Sequence, residues 1–472
     1  MKSSKELLKC LEALEPKVSS GLPEFVEGFS SDSRKIKKNY VFSVLKGHSL
    51  DGSKFIAEAL AKGARVLLCE EFLDVAIPQV CVKDLRKANA KLARFFHDDV
   101  CDKLKIIAIT GTNGKSSTAY ILQYILNGMG EKAAIMGTLG QGLSTEINPS
   151  ALTTPGAEEL HSFFEEVHQK GAKYVVLEAS SHGLDQMRLY GLAFEAVLFT
   201  NLSEDHLQYH GSMEEYFDVK KSLFEDYYSK IKVVNADDTY GTRLLDPATK
   251  TFSESIGADC VITEQGVIFN ETEVVMPKLL GDYNLYNAAG AILLATELLG
   301  KSSIHKIKNI MLGFPGVPGR LEVFEKANGA KLIVDFAHSQ EALEKVIGEV
   351  RKICLDKLFL VFGCGGDRDR SRRYGMGLAS DLADEVTLTN DNPRSEEPSK
   401  IIEDILSTKQ RSAEIILGRE QAIRTASSAL GPGDCLIIAG KGHEQTQIYK
   451  DHTVDFCDRD LCRKIIEEEK AC

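Results

Sequence analysis

Residues 111–117, Gly-Thr-Asn-Gly-Lys-Ser-Ser, have the composition of a phosphate cradle. Glycines let backbone N–H groups close around phosphate oxygens, and a helix opening at the lysine adds partial positive charge. Lys115 can reach the β- and γ-phosphates of a nucleotide, and the Ser116 hydroxyl can ligate magnesium. The usual spacing is G-x-x-x-x-G-K-[ST]; here Ile109 stands where the first glycine would be, which makes the loop a shorter variant. The alternative is a glycine-rich turn that only caps a helix. The Lys-Ser pair and the strand–turn–helix context favour the phosphate.

Three further residues can serve such a site. Glu178 ends the apolar run YVVLE and can hold magnesium if its strand neighbours the phosphate-loop strand; a strand-end glutamate pointing to water has the same sequence. His206, in NLSEDH, is a possible second metal ligand, although an isolated histidine is more often structural. Lys220 is odder. Ser212 to Glu215 spell a capping box, so a helix begins there. Its apolar stripe is Tyr216, Phe217, Leu223 and Phe224; Lys220 falls on that stripe, while Lys221 points away. A buried lysine loses charge through desolvation, and a neutral amine can take up carbon dioxide to become an anionic carbamate. Pattern alone favours the simpler outcome, a lysine that snorkels its amine outward.

These residues sit at the ends of one recurring unit, in which a short run of apolar and β-branched residues stops at small or polar residues and a helical pattern often follows. The runs are IIAIT before GTNGKSS, YVVLE before ASSHG, AVLFT before NLSEDH, LIVDF before AHSQ, LFLVF before GCGGDRD, EVTLT before NDNPR and CLIIA before GKGHE. Continuous apolar runs suit parallel strands buried on both faces, and alternation with helices predicts an α/β fold. In such sheets ligands collect beyond the carboxyl ends of the strands, where every cluster above falls.

The 472 residues suggest about three domains, at roughly 150 residues each. Polar HDDVCDK and the helix-breaking GFPGVPGR mark boundaries that give segments of about 1–100, 101–318 and 319–472. A formal net charge of −12 argues against a general nucleic-acid binder. The amino terminus reads as an amphipathic helix with Leu7, Leu8, Leu11 and Leu14 on one stripe, not as a signal peptide. The most apolar stretch, Ala288 to Leu298, is too short for a membrane span. Eleven scattered cysteines without a C-x-x-C pair fit reduced thiols in a cytosol rather than a zinc site.

Taken in order, GTNGKSS, LEASSHGL, TNLSEDHLQYHGSMEEYFDVKKSLF, LLGDYNLYNAAGA, GVPGRLEVF, IVDFAHSQEAL, GCGGDRDRSRR, DNPRSEEP and GKGHEQTQ resemble the motifs of Mur ligases, from about Ser31 to the carboxyl terminus. Within that family the chain is most similar to the diaminopimelate-adding type. The resemblance implies a three-domain α/β protein. A central P-loop-type, mostly parallel sheet domain (101–318) would be flanked by an N-terminal UDP-substrate domain (1–100) and a C-terminal Rossmann-like domain (319–472). It implies a monomeric, cytoplasmic enzyme that uses ATP and Mg2+ to join meso-2,6-diaminopimelate to UDP-N-acetylmuramoyl-L-alanyl-D-glutamate through an acyl phosphate.

By the same resemblance, Ser31, Ser33 and His48 match contacts to the UDP end. Thr153, Thr154, Ser180, Gln186 and Arg188 match contacts to the muramoyl-dipeptide. Gly111, Thr112, Asn113, Gly114, Lys115, Ser116 and Ser117, with Asn284, Asn287, Arg320, Asp335 and His338, match ATP positions. Ser116, Glu178, His206 and Lys220 match the magnesium side, with Lys220 as the carbamylated lysine; this reverses the preference drawn from pattern alone. Arg368, Asp391, Asn392, Pro393, Arg394, Gly440 and Glu444 match the diaminopimelate side. Arg394 offers a fork of donors to the distal carboxylate that lysine lacks, and Glu444 can pair with the distal ammonium. A solvated loop arginine is the alternative for Arg394. The family's usual VDYAHTP differs here at Phe336, Ser339 and Gln340, with an effect expected on packing more than chemistry. Rival activities are lysine addition to the same precursor, glutamate addition to folate, or a P-loop switch protein without an amine acceptor.

Overall fold

The computed structural model describes residues 1–47, 51–144 and 146–471. His48, which the resemblance assigns to the UDP site, lies outside the described residues. The chain divides into two compact units, Met1–Val261 with Asn287–Ile307, and Ile262–Tyr286 with Lys308–Cys472.

The first unit begins with the expected amphipathic segment. Ser3 caps a helix over Ser4–Cys10, a 3-10 turn follows at Glu12–Leu14, and Leu7, Leu11 and Leu14 are buried while Leu8 is partly so. They cover a five-stranded sheet ordered Lys17–Val18, Gln79–Cys81, Ala64–Cys69, Tyr40–Ser43, Gly28–Ser30.

A second, larger sheet carries the phosphate loop. From Glu146–Asn148 it runs through Gly140–Leu143, Ala133–Gly137, Tyr174–Glu178, Lys105–Thr110, Phe194–Phe199, Ser229–Asn235 and Lys250–Ser253 to Cys260–Thr263. Strand Lys105–Thr110 is flanked by Tyr174–Glu178 and Phe194–Phe199, both parallel to it. Ile106, Ile107, Ala108 and Ile109 are at most 1% exposed, so both faces of this strand are covered. Parallel register aligns carboxyl ends: Glu178 pairs with Ile109, and Phe199 with Thr110. Glu178 and the loop after Phe199 are thereby brought to the phosphate loop. Among the described residues no helix is long and apolar enough to cross a membrane, and the ten cysteines are all free thiols.

One core histidine has a consequence for stability. His161, on helix Ala157–Gln169, is 1% exposed, stacks on His97 with centroids 6.4 Å apart, and leaves Nδ1 without a hydrogen bond. Burial, reinforced by His97 and Arg94, pushes its pKa down from 6.5 to about 3. As pH falls below the unfolded-state value, the unfolded chain binds a proton that the fold refuses, and stability drops until about pH 3. His161→Phe should therefore narrow the gap in urea-unfolding free energy between pH 7 and pH 4.5 by about 2.5 kcal/mol, at about 1.4 kcal/mol per pKa unit. An unchanged gap would remove His161 from the acid response.

The second unit is a doubly wound sheet ordered Glu322–Glu325, Lys331–Val334, Cys435–Ile438, Leu358–Phe362, Glu385–Leu388, Glu414–Ile415, parallel except at the first pair. Its two faces carry separate cores. Helices Gln340–Arg351, Ser371–Ser380 and Pro398–Leu406 contribute to one, and Arg419–Ser428 and Asp458–Ala471 to the other. A hairpin of Gly266–Phe269 and Thr272–Val275 also belongs to this unit.

Candidate active site

In the first unit the phosphate loop connects strand Lys105–Thr110 to helix Lys115–Gly128, as its sequence predicts. Gly114 takes φ +85°, and a Cβ there would lie 2.1 Å from Asn287 Oδ1. Only glycine fits, and Asn287 is fixed against the loop; its Oδ1 also accepts from Thr118 Oγ1 at 3.3 Å. Residues 111–113 are laced to the neighbouring loop: Thr112 N–H donates to Asn201 O (2.8 Å), Asn113 N–H to Asn201 Oδ1 (3.0 Å), and Thr200 Oγ1 to Asn113 O (2.6 Å). Lys115 folds over the loop and donates to Gly111 O at 3.0 Å and Thr112 O at 2.8 Å.

Glu178 does not face water. It is 1% exposed, accepts from Ser116 Oγ (2.9 Å) and Thr138 N–H (2.7 Å), and lies 3.3 Å from Thr138 Oγ1. A Ser hydroxyl and a carboxylate are the hard oxygen donors that magnesium takes. Among the described residues no group of three or more His, Cys, Asp and Glu is placed to hold a metal. The Ser116 and Glu178 pair fits magnesium, which is commonly held by one or two carboxylates together with water and substrate phosphates. His206 joins a cluster of rings that reaches the phosphate loop through Tyr216. Its ring lies 5.1 Å from His182 and 6.5 Å from Tyr216, with Nε2 3.5 Å from Asp205 Oδ2.

Lys220 lies where its stripe places it, 1% exposed among buried Tyr216, Phe217, Leu223 and Phe224, while Lys221 pairs with Glu225. It does not snorkel. Its ammonium donates to Gly111 O at 2.8 Å and sits 4.6 Å from the Tyr216 ring centroid. Burial, with Lys115 nearby, holds its pKa well below the ordinary lysine value. Tyr216 in turn lies 3.3 Å from Thr112 Oγ1, so the stripe is tied to the phosphate loop.

A polar chain leads away from Glu178. Thr154 Oγ1 donates to Glu178 O (2.6 Å) and meets Ser180 Oγ (2.9 Å); Thr138 meets Thr153 (3.0 Å); Arg188 donates to Thr154 O and to Gln186 Oε1. Five residues expected at the muramoyl-dipeptide thus adjoin the expected metal carboxylate. Ser31 is exposed, and Ser33 turns its hydroxyl to Glu58 Oε2 at 2.7 Å.

In the second unit the strand-end loops gather as the topology requires. Asp335 is buried and accepts from Leu321 N–H and Ala337 N–H, both at 2.8 Å; burial raises its pKa, against the pull of Arg320. Arg320 stacks on Phe336 at 4.6 Å, and its buried Nε has no hydrogen-bond partner. Phe336 also packs on His338 and His443, and Ser339 caps helix Gln340–Arg351. The departures at 336 and 339 are thus packing and capping residues. His338 is exposed, and Asn284 is buried, donating to Leu280 O at 2.8 Å.

The DNPR, GGDRD and GKGHE loops form one group. Arg394 donates to Gly366 O (2.7 Å), and a Cβ on Gly365 would lie 2.9 Å from its Nη1 and 3.5 Å from Arg368 Cγ. Asn392 Nδ2 donates to Glu444 Oε2 at 2.8 Å. Asp391 and Pro393 are buried, and a Cβ on Gly440 would lie 2.7 Å from Asp391 Oδ2. Two basic side chains and one carboxylate are therefore presented by adjoining loops. Burial pushes the pKa of Glu444 up, but the Lys441 ammonium and Asn392 more than offset it and leave the group lowered.

Three family models match in sequence order: "Mur ligase family, catalytic domain" over residues 26–100, "Mur ligase middle domain" over 109–295, and "Mur ligase, glutamate ligase domain" over 319–442. The chain belongs to the Mur ligase family. The UDP-N-acetylmuramoyl-L-alanyl-D-glutamate–2,6-diaminopimelate ligase of Aquifex aeolicus is 40% identical, over 93% of this chain and 94% of that protein. The ligase of the same name from Clostridium tetani is 37% identical, over 98% and 99%. A solved structure of a ligase so named superposes with a TM-score of 0.69 at 32% identity, over 96% and 97% of the two chains. MurF ligase from Thermotoga maritima, in complex with ADP, shares the fold (TM-score 0.61, 18% identity, 95% and 99% coverage).

Within this Mur ligase several site residues escape sequence reasoning. Thr138 touches Glu178 from a strand end that has no motif of its own. Lys441 is fully buried between Asn392 and Glu444, and Arg419 pairs with Asp458 in complete burial beneath the same loops. The lysine of GKGHE falls within a motif that resembles the family's, yet nothing in its spacing indicates the burial.

Proposed function

We propose that this Mur ligase adds meso-2,6-diaminopimelate to UDP-N-acetylmuramoyl-L-alanyl-D-glutamate with consumption of ATP, in the cytoplasm and as a monomer, during peptidoglycan precursor synthesis. The observation that carries the choice of amine is the loop group around Gly365 and Asn392. Arg394 and Arg368 offer guanidinium donors to a carboxylate, and Glu444 offers a carboxylate to an ammonium. The far end of diaminopimelate carries both groups; lysine carries the ammonium alone.

The D-glutamate carboxylate attacks the ATP γ-phosphate, giving an acyl phosphate and ADP; the amine then attacks the acyl carbon and phosphate leaves. The first step brings two anions together. Lys115 meets that repulsion by exchanging its loop carbonyls for phosphate oxygens. Thr153, Thr154, Ser180 and Arg188 orient the muramoyl-dipeptide beside Glu178. Magnesium, held by Ser116 and Glu178 when bound, neutralises phosphate charge. His206 is included in the metal shell through the family resemblance alone. No protein nucleophile is needed.

The test is an assay of the purified chain with the UDP-dipeptide, ATP, magnesium and each of diaminopimelate, L-lysine and L-glutamate, with product mass measured. Only diaminopimelate should yield the tripeptide. Equal turnover of lysine would overturn the role of Arg394, and ATP hydrolysis without any amine product would favour the switch-protein alternative.

A further inference from the structure

Lys441 is 0% exposed, and its ammonium is divided among Glu444 Oε2 at 2.8 Å, Asn392 Oδ1 at 3.1 Å and the Thr446 carbonyl at 2.7 Å. Burying an ammonium is costly unless a counter-charge and hydrogen bonds accompany it. Here Glu444 is the counter-charge. Asn392 Nδ2 reaches the same Glu444 oxygen at 2.8 Å, so the three side chains close a triangle. Two of its corners are residues proposed to touch the amine substrate.

The support beneath is rigid. Arg419, wholly buried, pairs with Asp458 at 2.7 and 2.8 Å and donates to the carbonyls of Ala439 (2.9 Å) and Asn390 (3.3 Å). Those carbonyls immediately precede Gly440 and Asp391. Gln447 Nε2 adds a bond to Asp391 O at 2.7 Å. The loops carrying Asn392 and Glu444 are thus fixed against each other, and the Lys441 ammonium has little room to move away.

We propose that Lys441 is a specificity-determining positioning residue of the amino-acid pocket: it holds Asn392 and Glu444 in one orientation and places a fixed positive charge where L-lysine would bring an uncompensated ammonium. This rests on the diaminopimelate activity proposed above. The far end of diaminopimelate is a zwitterion of zero net charge, whereas that of lysine is a cation. To first order a fixed cation leaves the zwitterion unaffected and repels the lone ammonium. Arg394 selects by attraction to the carboxylate; Lys441 selects by repulsion and by sharing the Glu444 carboxylate that lysine would need. The other charges against the triangle do not reverse the sign. Arg419 and Asp458 neutralise each other, and Asp391 and Glu444 are unchanged in the variants below, so a change in the ratio between the two amino acids reports the Lys441 charge.

The test compares wild type with Lys441→Met, which keeps side-chain length without charge, and with Lys441→Gln, which keeps a donor. Steady-state kinetics are run with diaminopimelate and with L-lysine. The ratio of the two kcat/KM values should fall by about tenfold or more in Lys441→Met, with KM for ATP and for the UDP-dipeptide within about twofold of wild type. Lys441→Gln should fall between. A merely structural lysine would lower both amino acids alike, so an unchanged ratio overturns the proposal. It is equally overturned if lysine stays undetectable while diaminopimelate is still turned over, or if neither variant folds. A wild-type chain that does not use diaminopimelate at all would instead refute the proposed activity.

Discussion

Lys115→Ala should reduce amide synthesis by about 10²–10³-fold, the usual loss when one preorganised electrostatic contact to a transition state is removed. The size follows from the chemistry of the first step. A carboxylate must approach a triphosphate, and stabilisation must reach the oxygens where charge builds up. The Lys115 ammonium is bent back on Gly111 O and Thr112 O at 3.0 and 2.8 Å. Both acceptors are backbone carbonyls of the phosphate loop itself, so the ammonium stands where it can turn to a phosphate oxygen. Its side chain is only partly buried, so alanine leaves no large cavity and the melting temperature should stay within a few degrees. UDP-dipeptide affinity, measured by calorimetry without nucleotide, should be unchanged, because the residues proposed to bind the muramoyl-dipeptide lie beyond Glu178. Amide synthesis persisting at the wild-type rate would mean that charge on the γ-phosphate is managed elsewhere, and the acyl-phosphate route would lose its main support.

Much of this site was legible in the sequence because it depends on local or short-range rules. The phosphate loop is a strand–turn–helix unit, and its glycine at 114 is required by a positive φ and by Asn287. Glu178 needed one further inference, that its strand neighbours Lys105–Thr110; continuous apolar runs implied parallel pairing, and parallel pairing aligns strand ends. Lys220 could be placed by helical period alone, but not its outcome. A snorkelling lysine and a buried one share the same pattern, and only the carbonyl of Gly111, 109 residues away, decides between them. The Lys441 triangle joins residues 49 and 52 apart that meet only because the strands before them, Glu385–Leu388 and Cys435–Ile438, flank Leu358–Phe362 in the sheet and end on the same side. The Arg419–Asp458 pair is of the same kind: two polar residues opening separate helices, each unremarkable until both are buried. Sequence pattern reports which face a residue occupies. It does not report which distant partner satisfies its charge.

That distinction gives Lys220 an unusual double signature. Lys220→Met should raise the thermal stability of the metal-free, nucleotide-free protein while reducing ligation by about 10²-fold or more, a loss of the size seen when a charge-bearing group is removed from a transition-state site. The fold accommodates the ammonium at 1% exposure with one carbonyl acceptor and the face of Tyr216; among the described residues no carboxylate forms an ion pair with it, and Asp205 only partly offsets the burial. Burial therefore holds its pKa well below the lysine value. Over the pH range between the lowered folded value and the unfolded one, the unfolded chain binds more protons, so this lysine costs stability at neutral pH and less as pH rises. Replacing such a charge with an apolar side chain of similar length removes that desolvation cost. The same cost explains how the lysine could work. A neutral amine adds carbon dioxide and releases one proton, giving a carbamate that keeps an N–H for Gly111 O and gains two oxygens beside the phosphate loop. A 13C carbonyl resonance from labelled bicarbonate should appear in wild type and be absent from Lys220→Met. If the variant melted lower than wild type, or kept full activity, Lys220 would be a packing residue with its charge adequately satisfied, and the carbamate would have no role.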